Sequence, residues 1–192
     1  MQLHLDYLYV SAGKSLFRLK IRWFARYKML VDPQRVMNLP DTPSDIAIDV
    51  LNGKRMIFYS SESKGRIGRI LKNSHKQNVK HMDPLNISCN RFTFTIDSTG
   101  HVMYVLTDDR KLSLIRDIHT ENPPIRSTVM KVPRSFTWSI TKLLFSVNTI
   151  YLIWPDKNDV MCLDVQEKRV CTRRLSNEMI SRPPRVITVI TR

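Results

Sequence analysis

The residues of this chain with the most distinctive chemistry are three cysteines, Cys89, Cys162 and Cys171. No two of them have the C-x-x-C spacing of a zinc ribbon or a thioredoxin-type centre. The segment from Cys162 to Cys171 reads as a hairpin around Gln166-Glu167, which sets the two cysteines opposite each other and permits a disulfide. Gln-Glu suits a two-residue turn poorly, so free thiols stand as the alternative. The five histidines, His4, His75, His81, His101 and His119, contain no H-E-x-x-H and no other metal-ligand spacing. They read as surface or internally satisfied side chains, and neither a metal ligand nor a cofactor is assigned. Ala12-Gly13-Lys14-Ser15 resembles the end of a phosphate-binding loop, but Leu8 stands where that loop needs its first glycine, and the segment joins two strands, so a hairpin turn is expected. Asp156-Lys157-Asn158-Asp159 has turn chemistry without the glycine and terminal glutamate of a calcium loop. With no G-x-S-x-G elbow and no cysteine in a catalytic context, no catalytic residue is assigned, and binding is favoured over catalysis. Asn86-Ile87-Ser88 is a glycosylation sequon, which acquires meaning only if the chain is exported.

The elements that must position these residues follow from an internal repeat. Four segments share an apolar and aromatic strand, a short polar turn and a second apolar strand: 7–19, 56–70, 102–115 and 150–163. Tyr9, Tyr59, Tyr104 and Tyr151 stand 50, 45 and 47 residues apart, and the strand ends Leu19, Ile70, Ile115 and Leu163 keep nearly the same period. A further strand precedes the hairpin at 46–50, 92–97 and 143–147, and another follows it at 36–39, 78–81, 127–130 and 169–172. Four antiparallel strands every ~45 residues form a β-propeller blade. The expected fold is therefore all-β, a β-propeller-like array of about three and a half four-stranded antiparallel blades, with an incomplete ring among its forms. The units run over about 1–40, 41–83, 84–133 and 134–175, leaving 176–192 as an extra strand or tail. Residues 16–30 also fit an amphipathic helix, but Trp23, Phe24 and Tyr27 break the 3.6-residue pattern and favour strands.

On these residues the chain resembles a family. Ser44-Asp-Ile-Ala-Ile-Asp-Val-Leu-Asn-Gly-Lys-Arg-Met-Ile-Phe-Tyr-Ser60 looks like a blade of the six-bladed propellers of the YWTD and NHL kind, with Asp49 at the family's acidic position. Phe92 to Ile115 repeats the likeness, with Asp97 and Tyr104 in matching places, while Ser61 and Asn148 stand where the family carries acids. The secreted Yellow-like and ommochrome-binding-like insect propellers have similarly degenerate blades. The resemblance implies a secreted, non-enzymatic module that takes a small molecule or a protein partner at the propeller mouth. Asp49 and Asp97, ending equivalent strands, are the candidate ligand-binding residues, with bracing of the turns by side-chain to backbone hydrogen bonds as the alternative role.

The chain carries 31 Lys plus Arg against 17 Asp plus Glu, a formal net charge of +14. Lys64 to Met82 holds six basic residues and no acid, and 168–192 holds seven against Glu178 alone. Such runs attract phosphates and acidic surfaces, so non-specific binding of polyanions, nucleic acid included, or of an acidic partner is the alternative function, with solvated basic loops as the plain reading. Trp23, Phe24 and Tyr27 among Arg22, Arg26 and Lys28 would supply stacking for such a patch. No stretch approaches the ~20 apolar residues of a membrane span, and the start Gln2-Leu3-His4-Leu5-Asp6-Tyr7 lacks the pattern of a secretory signal. Six blades at this period need roughly 270 residues. The chain is thus expected to be a small irregular propeller, a partner in an oligomer that covers open edges, or a truncated product without independent function.

Overall fold

The computed structural model describes residues 7–24, 27–61, 64–73, 79–89, 91–133, 142–154 and 159–174. Antiparallel strands fall into four sheets, each following the chain in simple up-and-down order. Blade 1 has three described strands, β1 (Tyr7–Ala12), β2 (Ser15–Phe24) and β3 (Tyr27–Asn38). Blade 2 comprises β4 (Ile46–Leu51), β5 (Lys54–Ser61), β6 (Arg66–Asn73) and β7 (Val79–Asn86). Blade 3 comprises β8 (Phe92–Asp97), β9 (Val102–Thr107), β10 (Lys111–Ile115) and β11 (Arg126–Lys131), and blade 4 β12 (Lys142–Ser146), β13 (Thr149–Trp154), β14 (Asp159–Asp164) and β15 (Arg169–Arg174). This is the β-propeller that the repeat predicts. The stretch that also fits a helix lies in the β2–β3 hairpin, whose ladder pairs Trp23 with Lys28 and Phe24 with Tyr27. Among the described residues, no helix is long and apolar enough to cross a membrane.

Strand alternation supplies both faces of each blade. In β4, Ile46 and Ile48 join a cluster with Tyr9, Leu16, Ile57 and Ile70 between blades 1 and 2. Ala47, between them, joins Met56, Phe58, Ile67, Phe92, Phe94 and Ile96 between blades 2 and 3. A third cluster, with Tyr104, Leu112, Phe145 and Leu152, lies between blades 3 and 4, where the Tyr104 and Phe145 rings stack at 5.4 Å. Blades 2 and 3 thus each bury apolar side chains on two neighbours, the arrangement that a face-to-face stack of twisted sheets requires. The repeated tyrosines lie on corresponding strands but not on one face: Tyr59 faces back to blade 1, while Tyr104 faces on to blade 4. Tyr59 is the sixth residue of β5 and Tyr104 the third of β9, and an odd offset within the strand turns a side chain to the other face.

Turn chemistry fixes the registers. Asn52 and Gly53 both have positive φ, 51° and 71°, closing β4 on β5 through a type I′ turn. Ala12-Gly13-Lys14-Ser15 is the β1–β2 hairpin turn, and Lys14 accepts a hydrogen bond at its carbonyl from Leu39 N. The β14–β15 loop takes four residues, 165–168, rather than the two around Gln166-Glu167. Asp164 Oδ1 accepts from the amides of Gln166 and Glu167, and Lys168 takes the left-handed conformation. Cys162 stands opposite Cys171 in this register and is disulfide-bonded. From the start of blade 4, Lys142 Nζ pairs with Asp45 and donates to Ser44 O at 2.9 Å, tying β12 to the entry of β4.

Gly68 lies opposite Tyr59 in the β5–β6 register, and a Cβ there would stand 2.0 Å from Tyr59 Cζ. The ring occupies the space that any other residue needs. Gly68→Ala is expected to destabilise the protein by about 1–3 kcal/mol through overpacking, read as a lowered urea midpoint at unchanged m-value. The combination with Tyr59→Leu, which removes the ring atoms named, should recover part of that loss.

Candidate functional site

Two charged residues lie on the face that blade 2 turns to blade 3. The alternation that points Ala47 to blade 3 points Asp49 there as well, two residues on. In β6, Ile67 and Leu71 face blade 3, so Arg69 between them does too. Asp49 and Arg69 are buried, and a buried charge is destabilising by several kcal/mol unless partners satisfy it. Blade 3 supplies every partner that crosses the interface. Its β8–β9 turn and β10–β11 loop lie at one end of the sheet, because alternate strands of a meander run in opposite directions.

Asp49 Oδ2 meets His101 Nδ1 at 2.8 Å and His119 Nε2 at 2.7 Å. An ionised carboxylate only accepts, so both ring nitrogens donate. Oδ1 accepts from Val50 N at 3.0 Å. Burial raises the Asp49 pKa, but the hydrogen bonds and charges of His119 and His101 outweigh it and hold the carboxyl below its ordinary value. The Asp49 side chain is 0% exposed, His119 10% and His101 32%, so the cluster opens to solvent past His101.

The β10–β11 loop is held from several directions. Ile118 is wholly buried in the core between blades 2 and 3. Arg69 donates from Nη1 to the carbonyls of Ile118 and Thr120, at 3.2 and 2.8 Å, and from Nε to Asp83 O at 2.6 Å. The two carbonyls flank His119, and Phe58, opposite Arg69 in the register, meets the His119 ring edge-on at 6.1 Å. Lys80 pairs with Glu121 at the rim and lowers the Glu121 pKa. Burial lowers the Arg69 pKa, with Asp83 and Glu121 acting the other way.

The two candidate aspartates have different surroundings. Asp97 Oδ1 accepts from Thr99 N and Gly100 N, bracing the four-residue turn 98–101. The type I′ turn after β4 needs no such brace, which leaves the Asp49 carboxylate to the interface. The Asp97 turn ends in His101 at φ 49°, and His101 is the residue that reaches back to Asp49. Chain spacing hid this cluster, since His101 and His119 lie 52 and 70 residues from Asp49. Where the sequence reading assigned no metal ligand, three side chains of metal-ligating type present atoms within 4.8 Å of one another. A readable signal was the acid on the buried row of β4, which has to find donors.

The other candidates stand apart from this cluster. Asn86, at the exposed end of β7, accepts at Oδ1 from the amide and hydroxyl of Ser88. Cys89 is a free thiol whose pKa is raised by burial and by Asp108. It lines a cleft of about 360 Å³ with Ser88, Asp109, Lys111 and Arg126, in which hydrogen bonds from Lys111 and Thr107 bring the Asp109 carboxyl down to about 2. His4, His75, 156–158 and 176–192 lie outside the described residues, as do the side chains of Trp23, Phe24 and Tyr27.

No protein-family model matches the chain, and no curated protein matches it. Among solved structures, the chain is similar to apo AztD from Citrobacter koseri, at 18% identity and a TM-score of 0.41 over 85% of this chain and 44% of that one. It is also similar to a 6-phosphogluconolactonase-like protein from Bacteroides fragilis, at 9% identity and a TM-score of 0.47 over 83% and 47% of the two chains. An auxiliary nutrient binding protein from Bacteroides thetaiotaomicron matches at 10% identity and a TM-score of 0.44, over 83% and 44%. The chain spans less than half the length of each.

Asp49 has a lowered pKa in the folded protein, so its contribution to stability is present above the unfolded carboxylate pKa and is lost as pH falls through the folded one. Asp49→Asn is expected to lower stability at neutral pH by about 1–3 kcal/mol, the range for a disrupted buried hydrogen-bond group. Urea titrations of both proteins from pH 7 down into the acid range should converge as Asp49 protonates. A difference that stays constant across that range would exclude an ionised Asp49.

Proposed function

We propose that the protein is a non-enzymatic β-propeller binding module, and that its ligand, a small molecule or a side chain of a protein partner, is taken at the junction of blades 2 and 3. The observation that carries this reading is the cluster of Asp49, His101 and His119. A buried carboxylate and two imidazoles converge at the end of an interblade seam, with one ring open to solvent, and convergent polar groups on an apolar surround are the ordinary make-up of a binding site. The free thiol among the described cysteines, Cys89, lines a separate cleft, and burial raises its pKa. The resemblance to six-bladed propellers of the YWTD, NHL and Yellow-like kind suits this reading, and secretion suits the bonded state of Cys162, since bridges persist in oxidising compartments.

The test follows the His101 and His119 imidazole resonances of the full chain while a panel of small cations, carboxylates, amines and sugars is titrated in. Ligands that shift both rings in wild type and neither ring frequency in His101→Ala or Asp49→Asn, as far as each variant retains the ring, support the reading. Ligands whose shifts all map to other faces overturn it.

A second reading concerns the basic surface. Arg18, Arg55 and Lys72 gather where blades 1 and 2 meet, and Arg55 lies 5.7 Å over the Tyr9 ring. Burial lowers the Lys72 pKa, and the charges of Arg18 and Arg55 lower it further. An acidic polymer would relieve that repulsion. Binding to heparin or a random oligonucleotide is expected to be non-specific and to fade steeply with salt. Sequence-selective binding that survives near 0.5 M salt, several times physiological ionic strength, would contradict it.

A further inference from the structure

The geometry points to a divalent transition-metal ion as the ligand of the Asp49, His101 and His119 cluster, an assignment that rests on the binding-module reading above. The three ligand atoms are His101 Nδ1, His119 Nε2 and an Asp49 carboxylate oxygen, all within 4.8 Å of one another. Two imidazoles and one carboxylate form a set that suits zinc, cobalt, nickel or copper(II) and disfavours calcium and magnesium, which take oxygen. The set covers one side only, and His101 is the exposed member. Three protein ligands with an open fourth position leave room on the metal for a water or an outside ligand, whereas structural sites are closed by four protein ligands.

The apo geometry is a contracted version of such a site. Oδ2 stands 2.8 and 2.7 Å from the two nitrogens, joined by hydrogen bonds. Ligand atoms ~2.1 Å from a tetrahedral metal lie roughly 3.4 Å apart, so Oδ2 must move away from each nitrogen by about 0.6 Å. The rings, 5.5 Å apart between centroids and nearly perpendicular, already aim different edges at the carboxylate. On metal binding each contacting nitrogen presents a lone pair, its proton passing to the other ring nitrogen or to solvent, and the carboxylate exchanges two N–H donors for the cation. The protein also provides an outer layer. Val50 N fixes the second Asp49 oxygen, and Phe58 backs the His119 ring. Arg69 clamps the carbonyls on either side of His119, which makes it a positioning residue rather than a ligand. Supporting contacts of this kind hold ligands in place in metal sites.

The experiment is calorimetric titration of the full chain with Zn²⁺ and with Co²⁺, together with the visible spectrum of the cobalt form. The expected result is one ion per chain with a dissociation constant at or below about 10 μM, and a cobalt spectrum of low-symmetry four- or five-coordination. His101→Ala and His119→Ala should each weaken binding by about 10–100-fold or more. His101, being partly exposed, gives a variant that folds even if His119→Ala does not. A His4→Ala/His75→Ala/His81→Ala variant should bind as wild type does. No binding below about 1 mM, equal binding by the His101→Ala protein, or equal affinity for Ca²⁺ overturns the assignment. If the metals fail while other probes still shift the His101 and His119 resonances, the metal falls and the binding site stands. If neither binds, both fall.

Discussion

The structure turns on a carboxylate buried between two sheets. Asp49 occupies a position that strand alternation assigns to the core, on a row whose other members are apolar. An ion cannot stay there without donors, and among the described residues blade 2 supplies only the Val50 amide. The docking of blade 3 is therefore tied to the charge state of a residue in blade 2. Arg69 adds the converse case on the same face, a buried cation that needs acceptors and finds two of them in the same loop of blade 3. Anion and cation are each satisfied across the interface, and they do not pair with each other. Both are met by residues 118–120, so a shift of that loop would strip partners from both.

This junction differs from the other two. Between blades 1 and 2, and between blades 3 and 4, the described contacts are mainly apolar and aromatic, and such surfaces tolerate small sliding because hydrophobic burial has no direction. Between blades 2 and 3, apolar side chains such as Phe58, Phe94 and Ile118 provide the bulk of the burial. The polar groups then fix which arrangement of the sheets is allowed. Buried polar networks are seldom the most stabilising solution for a core, and here the network brings the interface to one register of the 116–125 loop over blade 2. That rigidity is what a site with ligands from two sheets and three separate chain segments requires.

The fold was legible because its signals are local or periodic. Apolar alternation marks strands, Asn52-Gly53 marks a two-residue turn, and the spacing of Tyr9, Tyr59, Tyr104 and Tyr151 marks the blades. The same periodicity did not reveal which face each tyrosine takes, since Tyr59 is the sixth residue of β5 and Tyr104 the third of β9, and an odd difference in strand position reverses the face. The site was legible only at Asp49. His101 is a turn residue and His119 sits in a ten-residue loop, and neither position carries a pattern. Their meeting is a tertiary event, set by sheet packing and by Arg69, so no spacing rule for metal ligands could find it. Asp97 shows the opposite limit. It ends β8 beside its turn, whereas Asp49 stands two residues before the end of β4, and the four-residue turn uses the Asp97 carboxylate for two backbone amides.

That difference in strand position and turn length explains how a repeat can generate a singular site. With two residues in the turn, the β4–β5 backbone closes on itself and the last inward acid is left facing the neighbouring blade. With four residues, the β8–β9 turn consumes its own acid and displaces His101 into a left-handed conformation at its far end. One turn therefore exposes an acceptor and the other exports a donor. The long β10–β11 loop brings the second donor, because Ile118 must reach the core and His119 follows it in the chain. Equal blades would satisfy their acids within their own turns. Unequal ones leave a carboxylate and two imidazoles at a shared seam, where the protein has to fill the set by hydrogen bonds or by a ligand.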